Sequence, residues 1–127
     1  MNRKEYFERK DCSAINLLRD TEYEIKLSYL KQVIGDFENK DILVLGCGNG
    51  KLERKLLDLY NVNSITLVDA SKRYIRQAKS NCNEANCICT EFNKIDKRTF
   101  MRRFDIIYSF DVMQYLQSSE IKRLQLV

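Results

Sequence analysis

Gly46, Gly48 and Gly50 stand at alternate positions directly after the apolar run Ile42 to Leu45, and an acidic residue, Asp69, closes the next apolar run, Ser64 to Val68. Glycines carry no Cβ, so a loop built from them can turn sharply and bring its backbone close to a bound molecule. The loop leads at once into a helical pattern, Lys51 to Tyr60, with Leu52, Leu56, Leu57 and Tyr60 on one face. The unpaired N–H groups of that helix start then point at whatever lies above the strand. This arrangement suits capture of a nucleotide-like ligand. A carboxylate at Asp69 can accept hydrogen bonds from both hydroxyls of a ribose. Asp69 also suits a helix N-cap, because Ala70-Ser71 leads into a pattern carrying Ile75 and Ala78. Ser71 is the better cap of the two, which leaves Asp69 free and favours the ribose role.

The dinucleotide fingerprint GxGxxG would need glycine at position 51, which is lysine. The pattern here is GxGxG. Strand, GxGxG loop, helix, second strand and terminal Asp69, in that order, resemble the class I, Rossmann-like S-adenosylmethionine (SAM)-dependent methyltransferases. The resemblance implies SAM as cofactor, held by Gly46, Cys47, Gly48, Gly50, Asp69 and Ala70. It also implies that Glu91 and Phe92, after the short strand-like run Asn86 to Cys89, border the adenine; a surface turn is the competing reading of that pair. Phe104 to Phe110 is then the strand beneath the transferable methyl group. Methyl transfer from a sulfonium is an in-line displacement, so the protein's task is to align the reacting atoms and exclude water. An acceptor amine must lose a proton, and Tyr108, Ser109 and Asp111 sit where that work would be done. Strand-end packing for Tyr108 and Ser109, and a loop turn or cap for Asp111, are the structural alternatives.

Val44 stands two positions before the first glycine, where most family members carry an acidic residue that helps hold the methionine end of SAM. The run Ile-Leu-Val-Leu-Gly-Cys-Gly-Asn is similar to the branch that methylates lysines of translation elongation factor 1-alpha, and Tyr6-Phe7 is similar to that branch's N-terminal aromatic pair. Tyr108 to Asp111 lack the branch's Glu-Lys-Gly pattern, and FDIIYSFDVMQYL looks more like small-molecule and protein N-terminal methyltransferases. The resemblance thus implies a protein amine as acceptor, a lysine or an N-terminus, with RNA and small molecules as alternatives. A truncated, non-catalytic module that binds SAM or a partner is a further reading. Another nucleotide-binding enzyme, such as a dehydrogenase, would need the glycine that position 51 lacks.

Several elements must position these groups. Thr21 and Glu24 form a capping-box pattern, and Tyr23, Leu27, Leu30 and Ile34 recur at helical spacing until Gly35, so the spacing predicts a helix over 22–34. Residues 1–20 are polar with a few anchors (Tyr6, Phe7, Ile15, Leu17, Leu18), making 1–35 an N-terminal helical segment. Asn93 to Arg103 is a charged connection with a helical stretch expected around Thr99 to Arg102. Ser118 or Ser119 caps an expected last helix bearing Ile121 and Leu124. Right-handed crossovers between parallel strands give the order 3-2-1-4 in an α/β fold, a Rossmann-like three-layer αβα sandwich. The order breaks between strands one and four, above the glycine loop, and ligands bind at such switch points. Family members continue through three more strands, so 1–127 reads as a single, apparently truncated domain. Strand four would then be an open edge, inviting self-association by edge pairing.

A chain of 127 residues forms one domain, and 44% hydrophobic and 31% charged residues with no proline are an ordinary globular composition. The net charge of +4 is spread along the chain. The runs Lys51 to Lys55 and Lys72 to Lys79 read as solvated helix faces, which disfavours nucleic acid as a partner without excluding it. Five cysteines, at 12, 47, 82, 87 and 89, form no CxxC pair and have no histidine to complete a zinc site. They read as reduced thiols of a cytoplasmic protein, Cys47 being a small side chain in a tight loop. No stretch approaches transmembrane length, so no membrane partner is expected.

Overall fold

The computed structural model describes residues 16–100 and 102–110. Asp111, the anchors Tyr6, Phe7 and Ile15, and the expected helix bearing Ile121 and Leu124 lie outside the described residues. In chain order the elements are α1 (Asn16–Val33), β1 (Asp41–Leu45), α2 (Lys51–Leu59), β2 (Ser64–Asp69), α3 (Lys72–Asn81), β3 (Asn86–Cys89), a 3-10 turn (Phe92–Lys94), α4 (Lys97–Phe100) and β4 (Ile106–Tyr108). All strand pairs are parallel and the order is β3-β2-β1-β4. This is the order expected from sequence, and it is compatible with right-handed crossovers between parallel strands.

Side chains alternate across β1, and both of its faces are covered. Ile42 and Val44 enter a core with Leu27 and Leu30 of α1, Leu52 and Leu56 of α2, and Ala78 of α3. Leu43 and Leu45 enter a second, smaller core with Val68 and Ile95, against which Phe92, Phe100 and Phe104 pack. Hence the strand is apolar at four consecutive positions rather than at every second one. The partner strands are anchored at the opposite end of β1, where the Asp41 N–H donates to Asp105 Oδ2 at 2.8 Å and the Asp105 N–H to the Asp41 carbonyl at 2.8 Å.

Three boundaries differ from expectation. Among the described residues helix α1 runs Asn16–Val33, so Thr21 and Glu24 lie inside it and do not cap it. No glycine or proline interrupts residues 16–20, and leucine and arginine there propagate a helix readily. Glu24 instead pairs with Lys55 of α2 at 2.8 Å. The helical turn after β3 falls on Lys97–Phe100 rather than around 99–102, because Asp96 opens it: its carboxylate accepts from the Arg98 N–H at 2.8 Å. Strand β4 is limited to Ile106–Tyr108 within the expected Phe104 to Phe110. Gly35, at φ 84, stops α1 as expected.

Gly50, the residue before α2, has φ 78, and a Cβ there would lie 3.1 Å from Ala78 Cα and 3.2 Å from Ala78 Cβ. Gly48 has φ 58, but a Cβ there would meet nothing within 4 Å. Gly48→Ala therefore costs only the left-handed backbone, about 1–2 kcal/mol. Gly50→Ala adds a backbone clash between two helices and should cost on the order of 2–4 kcal/mol. Urea unfolding of the two variants checks the ranking; equal losses would show that the approach to Ala78 is not tight.

Candidate functional site

The ends of the first three strands are stitched together by backbone groups. The Gly46 and Cys47 N–H groups both donate to the Val68 carbonyl, at 2.7 and 3.1 Å. The Gly48 N–H donates to Asp69 Oδ2 at 2.9 Å, and the Ser71 N–H to Asp69 Oδ1 at 2.9 Å. The Thr90 N–H donates to the Asp69 carbonyl at 3.0 Å, and the Cys89 thiol lies 3.6 Å from the Ala70 carbonyl oxygen. Gly46, Cys47, Gly48, Asp69 and Ala70, expected together from sequence, thus form one hydrogen-bonded shelf.

Ser71 is the cap of α3, its Oγ accepting from the Tyr74 N–H at 3.2 Å. Asp69 is nonetheless not free, because each of its oxygens already accepts one backbone N–H. A carboxylate oxygen has a second lone pair, so acceptor capacity remains. Burial pushes the Asp69 carboxyl above its usual range, opposed by the N–H bonds from Ser71, Gly48 and Ala70. Glu91 and Phe92 follow Thr90 at the outer end of the shelf. Glu91 is half-buried with Lys94 3.9 Å away, and Phe92 packs into the smaller core.

Asn49 is a site residue that the sequence reading passed over. Its Oδ1 accepts from the Lys51 N–H at 3.0 Å, serving a helix whose N-cap, Gly50, has no side chain. Its Nδ2 donates to the Tyr23 hydroxyl at 3.3 Å, and its carbonyl accepts from Asn81 Nδ2 at 2.8 Å. Helices α1 and α3 therefore hold the loop from both sides. Cys47 is half-buried, and burial raises its thiol pKa far above the ordinary range, so it remains protonated and unreactive.

The larger omission is Glu53. The run Lys51 to Lys55 was expected to be a solvated face, yet Glu53 is only 1% exposed. Its Oε2 accepts from the Tyr108 hydroxyl at 2.6 Å, and its Oε1 has no partner among the described residues. The signal was present, since position 53 stands at helical spacing from Leu56, Leu57 and Tyr60, on the apolar stripe. Burial pushes the Glu53 carboxyl up to about 7, with the Tyr108 hydrogen bond and the charge of Lys26 opposing. Tyr108, also buried, is held protonated by burial and by Glu53. Its hydroxyl is thus committed inside the core. Next to it, Ser109 Oγ is buried without a partner among the described residues. Phe110 lies 5.9 Å from the Tyr108 ring and 6.3 Å from that of Tyr29, with Lys26 Nζ 5.3 Å above its own ring.

A family model described as a methyltransferase domain matches residues 42–125. No curated protein matches the sequence. Among solved structures, DhpI in complex with SAH matches with a TM-score of 0.72 at 12% identity, over 95% of this chain and 59% of that one. Coclaurine N-methyltransferase bound to N-methylheliamine and SAH matches with a TM-score of 0.69 at 14% identity, over 80% of this chain and 31% of the other. A TehB-like SAM-dependent methyltransferase from Corynebacterium glutamicum gives 0.59 at 22% identity, over 80% and 55%. At such identities the likeness is one of fold. The chain spans 31% to 59% of the length of these structures.

The burial of Glu53 fixes a pH dependence. Unfolded, the carboxyl releases its proton near the ordinary 4.5; folded, it keeps it up to about 7. The cost of burying its charge is therefore absent below 4.5, grows through that window and is complete above about 7. Glu53→Gln keeps an oxygen for Tyr108 and carries no charge. Relative to wild type it should gain stability as pH rises from about 5 to about 8, by up to roughly 3 kcal/mol. Denaturant unfolding of both proteins at the two pH values measures this, and a pH-independent difference would place Glu53 in contact with water.

Proposed function

From its membership of the methyltransferase domain family, to which the matched residues 42–125 show that the chain belongs, we propose that it binds SAM over the shelf at the ends of β1 to β3 and takes part in methyl transfer to a protein amine. The observation that carries this is the glycine loop. Its middle residue, Gly48, presents an open face where a Cβ would meet nothing, while Asp69 pins the same residue's N–H from beneath. A flat, pre-formed backbone surface beside a carboxylate with spare lone pairs fits a ribose and its adjoining chain. Asp69 accepts from the ribose hydroxyls; Gly46, Cys47, Gly48, Gly50 and Ala70 shape the approach; Glu91 and Phe92 border the base.

When bound, SAM supplies a methyl group on a leaving group that is already activated. What the chain contributes is alignment and exclusion of water. Ser109 Oγ, directly after β4 and without a partner among the described residues, is the group that orients the acceptor, and Asp111, two positions on in sequence, takes the acceptor's proton. The Tyr108 hydroxyl, held by Glu53, is not available for that step. The similarity of the Ile42 to Asn49 run to the elongation factor lysine methyltransferases is what favours a protein amine over RNA or a small molecule.

Titration calorimetry should show binding of SAM and S-adenosylhomocysteine (SAH) in preference to NAD, and a folded chain that binds neither thioether nucleoside would refute the cofactor reading. Asp69→Ala removes a charge-assisted acceptor worth roughly 1.5–3 kcal/mol, so SAH affinity should drop about tenfold to a hundredfold. Because Asp69 also holds the Gly48 and Ser71 N–H groups, Tm should fall in the same variant. A lower Tm with unaltered affinity would confine Asp69 to a structural role. Transfer of labelled methyl from SAM to proteins of a cell extract tests the acceptor class.

A further inference from the structure

Glu53 is a buried carboxylate with one of its two oxygens unpaired among the described residues. Oε2 takes the Tyr108 hydroxyl, while Oε1 is shielded from water and accepts nothing among the described residues. Such an atom costs free energy unless something arrives to pair with it. Its position is specific. Glu53 lies in the first turn of α2, three residues after Gly50, and its partner Tyr108 ends β4, paired in register with Val44 of β1. The Glu53–Tyr108 bond therefore ties α2, the helix entered from the glycine loop after β1, to β4, the strand on the other side of the point where the sheet order reverses. The titratable and charged groups around it come from every adjoining element: Cys47 in the glycine loop, Cys82 after α3, Tyr108 on β4 and Lys26 on α1. Both thiols and the tyrosine are held neutral by burial, so of these four groups it is Lys26 that offers Glu53 a positive charge, which acts on the carboxylate without forming a hydrogen bond to Oε1.

We propose that Glu53 Oε1 is the counter-charge for a cationic centre of the ligand bound over the glycine loop. This rests on the SAM reading above. That cofactor carries two cationic centres, a sulfonium and an amino-acid ammonium. An unpaired acceptor is satisfied by an N–H donor, which a sulfonium lacks, so the ammonium is the expected partner.

Three ligands separate the cases: SAM has both centres, SAH only the ammonium, and methylthioadenosine neither. Affinities are measured by calorimetry for wild type and Glu53→Gln. The expected result is a loss of roughly tenfold or more for SAM and SAH alike, with methylthioadenosine unchanged. Loss for SAM alone would assign the sulfonium instead. An equal loss for all three, or no loss for any, overturns the proposal. Binding of methylthioadenosine also shows that the variant is folded. Should it not fold, wild type serves: its preference for SAH over methylthioadenosine should diminish as pH falls from about 8 to about 6 and Glu53 takes up a proton. A preference constant across that range overturns the proposal equally. If wild type binds none of the three, the cofactor reading fails, and this inference fails with it.

Discussion

One carboxylate sets the geometry of the site. Asp69 ends β2 and accepts from Gly48 on one side and Ser71 on the other, so the loop after β1 and the turn into α3 are both referred to the same two oxygen atoms. The Asp69 carbonyl extends the tie to Thr90 after β3. Three connections that are far apart in sequence thereby share one rigid reference. Hydrogen bonds to a charged acceptor are the stronger kind, and these are partly shielded from water. Three alternate glycine positions with positive φ would otherwise leave a loop of high conformational freedom. Fixing it before any ligand arrives reduces the ordering cost that binding must overcome.

The sheet could be read from sequence because its causes are local. Ile42 to Leu45 is apolar at every position since both faces of β1 are covered, and the glycines mark where the chain must turn left-handed. Strand order followed from the family resemblance together with crossover handedness. What escaped was set by partners distant in sequence. Whether Asp69 was free depended on Gly48, 21 residues earlier, bending back to it. Whether Glu53 faced water depended on Tyr108, 55 residues later. Counting charges made Lys51 to Lys55 a surface, although helical spacing already placed its third member on the buried stripe. The start of α1 was misjudged for a different reason. A local capping pattern at Thr21 competed with good helix formers on its N-terminal side, and propagation prevailed.

The three glycines of the loop, alike in backbone sign, serve different neighbours. Gly46 turns the chain so that its N–H and that of Cys47 converge on Val68. Gly48 faces open space, whereas Gly50 lets α2 and α3 approach to van der Waals distance at Ala78. The motif is thus part ligand surface and part helix packing. A match to it indicates a fold first and a ligand second.

Strand β4 is three residues long and has β1 as its hydrogen-bonded neighbour among the described residues, with Ile107 51% exposed. Its pairing closes a chain loop of 64 residues at Asp41 and Asp105, against 23 for the pairing of Asp41 with Ser64. Longer closure costs more entropy, so β4 is the strand most readily detached from the sheet. Tyr108 leaves with it, and water then reaches Glu53. Ionisation in the heart of the domain and fraying at its margin are therefore one event: a proton lost from Glu53 favours the undocked strand, and docking takes the proton back.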